Sequence, residues 1–598
     1  MSSTQCLKII LIVFTVVFCA AAVDSHTCRK PADETLDYIK SQTTIFAGSV
    51  HQLKLSIDRI NPSDRQTIQP VIEVLKSCRI HYKKISFFLD YFYPQQGKLF
   101  NAPAKKEVEE PFMEYDESQS FQQMESILYG PNPQKKKKAL KNLAIVLDES
   151  AADLTDLYFD FEATTAQVTE SLHLELIRIM TLYITGYDAP DLKTGIAETR
   201  SSLESISAIA RFLFQPVNRE SILLDSIIKQ TIFITQLTDF DHFNRLIFLT
   251  RFAMPLEEQL NKCTEIYGWQ SSTVPTLNYN AKNLFLGEYN VTGKKHSDSL
   301  INLGQKLFFE KNLSGNNIRS CATCHQPDKY FTDQLVANRN INDSRSLRRN
   351  TPALFYVSDQ SSQFWDGRAP TLSEQVNDVL TNPEEMNASI PEIKKRLMQN
   401  PIYQSSFHDS VTLPQIETAL SAYLCTLRPM NSAFDQYMSG DHQALTNAQK
   451  NGFNLFMGKA QCGTCHFAPI FNGSTPPFFN RTEYEVLGVP GLSPSAFNIY
   501  DKDLGRYENY PIDIYKRAFK TPTVRNTAKT APYMHNGRYH SLSEVLDFYN
   551  KGGGAGIGLY SPEQTLSGKP LHLSKQEIND IIAFLGALTD NLRPAGKS

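Results

Sequence analysis

Apolar residues recur at helical spacing from residue 30 to about 270. In Ser205–Phe214 they fall at Ile206, Ile209 and Leu213, and the same three-to-four-residue step runs through Ser221–Leu237. Glycine and proline are scarce inside these stretches and gather between them, at Tyr93-Pro94, Gly130-Pro131-Asn132-Pro133 and Asp188-Ala189-Pro190. Such residues interrupt helices, because proline lacks the backbone donor and glycine loses most entropy when ordered. The pattern predicts an up-and-down helical bundle over 30–270. Residues 271–296 lose the period and read as a linker rich in Ser, Thr, Pro, Asn and Gly. Beyond 297 the texture changes to short helices joined by long loops. A break near Arg428–Thr446 divides this region into units at 297–435 and 445–598. Both units begin with a helix closing on Gly-x-x-Leu-Phe (Gly304 to Phe308, Gly452 to Phe456), which points to an internal duplication. The expected fold class is mainly α: a helical bundle followed by two small, related helical domains.

Composition adds little to this picture and removes some functions. The 598 residues exceed what one hydrophobic core fills. Apolar content of 41% and charged content of 21% are those of an ordinary globular protein. A net charge of −3 offers no basic surface for nucleic acid. The Lys135–Lys138 run reads as a solvated helix start. At the N-terminus, Lys8 precedes an apolar run from Ile9 to Ala22 that ends in three alanines. This is the pattern of a secretory signal peptide over 1–22, too short for a membrane span. Export to a periplasm is expected. Lipid anchoring through Cys19 is the lesser alternative, because bulky Phe18 precedes it.

The chemistry sits in the two C-terminal units. Cys321-Ala322-Thr323-Cys324-His325 and Cys462-Gly463-Thr464-Cys465-His466 are both C-x-x-C-H, the attachment site of a c-type haem. Two thiols three positions apart bond to the porphyrin vinyls, and the adjacent histidine reaches the iron. A zinc knuckle would need a second ligand pair nearby, and neither string has one. The two domains therefore read as cytochrome-c-like haem domains carrying two covalent haem c groups. Other candidates carry less. His51, His81, His173 and His242 are scattered, and Gly552–Gly558 has the wrong spacing for a dinucleotide fingerprint and reads as a flexible loop. Cys28, Cys78, Cys263 and Cys425 suit either disulfides or buried thiols. Catalysis by a haem needs an iron with an open sixth position. After His325 no methionine occurs until Met386 and no histidine until His408. The first haem thus lacks an obvious nearby sixth ligand.

Several segments together resemble the bacterial di-haem cytochrome c peroxidases. They are Gly304–Asp333, Arg349-Asn350-Thr351-Pro352, Phe364-Trp365-Asp366-Gly367-Arg368, Lys520 through Asn526, and Ala531 through Gly537. The resemblance covers about 297–590. It implies that His325 is the proximal ligand of a peroxidatic haem and His466 that of an electron-transfer haem. Trp365 would relay electrons between them. Glu385 would be the acid above the open iron, with Gln375 beside it. Asn350, Thr530 and Pro532 match positions that hold a calcium ion through oxygen atoms. The implied partners are hydrogen peroxide and a small electron-donor protein such as cytochrome c, and a homodimer is possible in the family. Two departures stand out. Most members cap the second haem with a methionine, and here that position is Tyr549, as in a branch whose member oxidises tryptophans of a partner protein. Met534 is the rival cap. The histidine that closes the resting first haem in other members has no counterpart. The 30–270 bundle resembles imelysin-type domains, yet Gln122-Gln123-Met124-Glu125 replaces their His-x-x-Glu, so no metal is assigned to it. The leading expectation is a peroxidase reducing hydrogen peroxide to water. The alternatives are a di-haem oxidase that modifies a protein side chain through high-valent iron, and a non-catalytic electron-transfer cytochrome.

Overall fold

The computed structural model describes residues 31–592 apart from 106, 110–113, 271–284, 286–295, 408–409 and 494–498. The expected leader, Cys28 and nearly all of the expected linker lie outside the described residues. The fold is mainly α. Its N-terminal part is a bundle built from Pro31–Asp58, Ile68–Tyr82, Lys137–Asp153, Thr165–Thr181, Gly195–Phe214, Arg219–Ile234 and Met254–Tyr267. Pro31–Asp58 buries one stripe, Ile39, Phe46, Val50, Leu53 and Ile57, and leaves its other face to solvent. Thr165–Thr181 starts at a capping box between Thr164 and Gln167 and is buried all round from Val168 onward, which makes it the central helix. A small antiparallel hairpin interrupts the bundle, with Glu107–Glu109 paired to Glu114–Asp116.

The two C-terminal units repeat one framework. In the first, Asp298–Phe308 crosses Leu413–Leu424 at Gly304, where an added Cβ would lie 1.8 Å from the Ala419 carbonyl oxygen. In the second, Asn447–Phe456 crosses Lys575–Ala587 at Gly452, where a Cβ would lie 1.9 Å from the Asp580 carbonyl oxygen. Only glycine lets two backbones approach so closely, which explains why both units carry it at this place. A second correspondence follows. Leu372–Thr381 begins at a Thr371/Glu374 capping box and Leu542–Asn550 at a Ser541/Glu544 capping box. Each is preceded by a left-handed glycine, Gly367 and Gly537. This register makes Val379 and Tyr549 equivalent positions.

The first unit has its own core around Leu307, Phe308, Ile416 and Leu420. The core of the second, centred on Phe453, Phe456, Phe471 and Phe584, is continuous with that of the bundle. Gly553–Gly556 is a single helical turn rather than the flexible loop expected. The Gly554 amide donates to the Leu487 carbonyl at 2.8 Å, and the segment packs directly on Gly488, which only residues without side chains permit. Cys78 and Cys263 are buried free thiols, and no disulfide occurs among the described residues. Among those residues no helix is long and apolar enough to cross a membrane.

Candidate functional site

Each C-x-x-C-H string opens onto a cavity. The first, about 470 Å³, is lined by Cys321, Cys324 and His325 together with Gln375, Val379 and Glu385. The second, about 460 Å³, is lined by Cys462, Cys465 and His466 together with Met534 and Tyr549. Both volumes fall in the range of cofactor pockets.

The local chain geometry prepares the three haem-binding atoms of each string. Ser320 caps the helical turn Cys321–Cys324, and Gln461 in the left-handed region opens the turn Cys462–Thr464. His325 Nδ1 lies 3.1 Å from the Phe331 carbonyl oxygen. His466 Nδ1 lies 3.0 Å from the carbonyl of Pro522. A carbonyl can only accept, so Nδ1 carries the proton in both rings and Nε2 keeps its lone pair for a metal. Burial lowers the pKa of both histidines, that of His466 to about 4, so each stays in the neutral, ligating form. Burial also pushes the Cys321 and Cys462 thiols up to about 12, the opposite of a thioredoxin-like redox pair. Among the described residues no cluster of His, Cys, Asp or Glu is placed to hold a metal ion, which leaves a zinc knuckle without ligands. Unpaired thiols, a neutral histidine and an adjoining cavity fit a covalent haem at both places.

Trp365, Asn350 and Gln375 line both cavities. The Trp365 indole donates to the Asn350 carbonyl at 2.9 Å, and its own carbonyl accepts from the Lys520 amide at 2.7 Å. Arg349 holds this segment to the second unit by pairing with both Asp366 (2.6 Å) and Asp503 (2.7 Å). The indole is therefore fixed at the wall common to the two sites.

Glu385 faces the first cavity and accepts a hydrogen bond from Asn382 Nδ2 at 2.9 Å. Burial raises its pKa above the usual carboxylate range, partly offset by Arg368. Its neighbour Glu384 also lines this cavity but is more exposed and pairs with Arg345. Met386 also lines this cavity, embedded in the apolar core of the unit. Tyr549 lines the second cavity. Burial raises its pKa, followed by the proximity of Cys465 and Cys462. Met534 lines the same cavity from a left-handed backbone position, packed beside Val489 and Tyr539. The register of the repeat places Val379 in the first cavity where Tyr549 stands in the second. Asn350, Thr530 and Pro532 all line the second cavity. Asn350 Nδ2 donates to the Leu335 carbonyl at 2.8 Å. These three groups offer neutral oxygens only, fewer than the six to eight that calcium takes, so water would complete any such site.

Sequence reasoning missed Val379 and every contribution from the bundle. Lys105, Gln122 and Tyr187 line the second cavity as well. Val379 is signalled only by aligning the two capping boxes, and the bundle residues carry no local signal at all.

Residues 298–443 match the family described as di-haem cytochrome c peroxidase. Cytochrome-c peroxidase IdrP2 of Denitromonas iodatirespirans is 34% identical over 318 residues, which is 50% of this chain and 83% of that protein. Methylamine utilization protein MauG of Methylorubrum extorquens is 33% identical over 294 residues, 48% of this chain and 77% of that protein. Among solved structures, a MauG-like protein associated with microbial copper homeostasis aligns with a TM-score of 0.43 and 26% identity, over 50% of this chain and 91% of that one.

Proposed function

The chain belongs to the di-haem cytochrome c peroxidase family, and from that premise we propose that it reduces hydrogen peroxide to water in a periplasm, with electrons from a small redox protein such as a cytochrome c. The family carries two haem c groups. Cys321 and Cys324 would hold one with His325 on its iron, and Cys462 and Cys465 the other with His466 on its iron. When bound, the haems supply the electrons and the metal coordination needed to split the O–O bond.

The protein's own contribution is binding, proton transfer and electron routing. Hydrogen peroxide, two protons and two electrons give two waters. Glu385 takes the proton from one peroxide oxygen and returns it to the other, so that water departs as the bond breaks. A carboxyl whose pKa burial has raised holds its proton more readily, which suits the returning half of that transfer. Gln375 orients the substrate beside it. Trp365, held at the common wall, carries electrons from the second site to the first. Asn350, Thr530 and Pro532 would hold a calcium ion that stiffens this wall.

The observation that carries the reading is the inequivalence of two repeated sites. The repeat gives one cavity Tyr549, a side chain able to cap an iron, and the other Val379, which cannot. One site is thereby equipped to store electrons and the other to meet a small substrate. The experiment is steady-state peroxide consumption with reduced cytochrome c, for the native chain and for Glu385→Gln. A native chain that fails to turn over removes the peroxidase reading. A tyrosine at position 549 favours a second reading, oxidation of a partner protein's side chain. It predicts that peroxide is consumed with loss of tryptophan or tyrosine in the partner and little dependence on cytochrome c.

A further inference from the structure

The bundle does not merely adjoin the second haem site; it closes one side of it. The Tyr187 ring packs edge-on against Phe467, the residue after His466, with centroids 5.5 Å apart. Gln461, just before Cys462, donates to the Pro190 carbonyl at 3.3 Å. A Cβ on Gly463, inside the C-x-x-C-H string, would lie 3.2 Å from the Thr185 methyl. The string thus sits against bundle residues 185–190.

A second bundle segment brings charge to the same place. Lys105 reaches across from the connector after the helix Pro94–Asn101. Its ammonium lies 2.6 Å from Glu485 Oε1 and 2.9 Å from Glu483 Oε2. The Glu485 side chain is only 7% exposed, and its Oε1 lies 3.7 Å from Cys465 Sγ. Two carboxylates and one ammonium are therefore gathered at the thioether edge. Their sum is one negative charge with Lys105 and two without it. In a buried setting, charge at this range is weakly screened.

We propose that the N-terminal bundle is an electrostatic part of the second haem site. Lys105 is a positioning residue that holds Glu485 beside Cys465 and cancels one of the two negative charges there, raising the reduction potential of that haem. This rests on haem attachment at Cys462 and Cys465. Removing the ammonium leaves an extra negative charge near the iron, which favours its oxidised state.

The test uses the full holoprotein. Mass spectrometry first counts covalently attached haems. Spectroelectrochemistry at one fixed pH then measures both midpoint potentials. In Lys105→Met the second haem shifts to a more negative potential and the first does not move. Lys105→Arg keeps the native value. Glu485→Gln alone shifts the second haem in the positive direction, and adding it to Lys105→Met restores the native charge and potential. A two-haem Lys105→Met protein with an unmoved second haem, or with equal shifts at both haems, overturns the proposal. So does a negative shift in Glu485→Gln, the variant that stays informative if Lys105→Met does not fold. Absence of haem at Cys462 and Cys465 in the native chain defeats instead the haem assignment beneath it.

Discussion

Glu385→Gln separates proton handling from folding. The substitution keeps the side chain's size and an oxygen to accept the 2.9 Å hydrogen bond from Asn382, so the cavity wall is preserved. What it removes is a group able to take and return a proton. A positioned acid–base residue accounts for about 10²–10⁴ in rate, or about 2.7–5.5 kcal/mol of activation free energy. Stability should respond in the opposite sense. Burial raises the Glu385 pKa in the folded state. A carboxyl raised in this way contributes stability that is complete below its unfolded pKa and is lost as pH climbs through the folded one. At neutral pH the native carboxyl is therefore a liability, and glutamine should hold or raise the melting temperature. The assay is paired: initial rates of peroxide loss with reduced cytochrome c, and thermal unfolding of the same two-haem preparation. Loss of turnover with intact stability is the expected pair. Turnover within about threefold of native would refute the acid–base assignment, since that is only ~0.65 kcal/mol. A collapse in melting temperature would refute the claim that the wall is preserved.

Val379→Tyr places a phenol at the Tyr549 register of the first cavity; it should convert the first haem to low spin and cut peroxide turnover by about a hundredfold or more, ~2.7 kcal/mol, as read by electron paramagnetic resonance and initial rates. Gly304→Ala and Gly452→Ala each force a Cβ within 2 Å of a facing carbonyl oxygen, 1.8 and 1.9 Å respectively; each should cost about 1–3 kcal/mol or more and lower the melting temperature by several degrees. Burial lifts the Glu125 carboxyl in the bundle from 4.5 to about 7. Its Oε1 accepts from the Asp191 and Leu192 amides, while Oε2 has no partner. Its stabilising contribution is complete below the unfolded pKa and lost as pH rises through about 7. Glu125→Gln should therefore match the native chain near pH 4 and exceed it by about 3 kcal/mol near pH 8, measured by denaturant unfolding at the two pH values.

The parts of this protein legible in its sequence are those fixed by local rules. The C-x-x-C-H strings are contiguous because two thiols must meet the haem edge while the adjacent histidine reaches the iron. The bundle helices show because one-sided burial imposes a period of 3.6. The duplicated Gly-x-x-Leu-Phe signal proved to mark the glycine at which two helix backbones touch, at Gly304 and at Gly452. Other features depend on distant chain and leave no local trace. Lys105 meets Glu483 and Glu485 across nearly four hundred residues. Val379 matters only because the repeat makes it the equivalent of Tyr549 in the other cavity. The turn at Gly553–Gly556 is shaped by the Gly488 backbone it packs on rather than by any pattern of its own. Met386 looked remote from the first string, yet the fold brings it to the same cavity.

The central proposal is that two sequence-related haem sites differ at one register position, where Tyr549 would cap one iron and Val379 stands at the other site. Electron paramagnetic resonance of the resting protein, repeated on Tyr549→Phe, tests it directly. The native chain should show one high-spin ferric signal from the first haem and one low-spin signal from the second. Tyr549→Phe should alter only the low-spin signal. An unchanged low-spin signal in Tyr549→Phe, or a native spectrum with no high-spin component, would contradict the account.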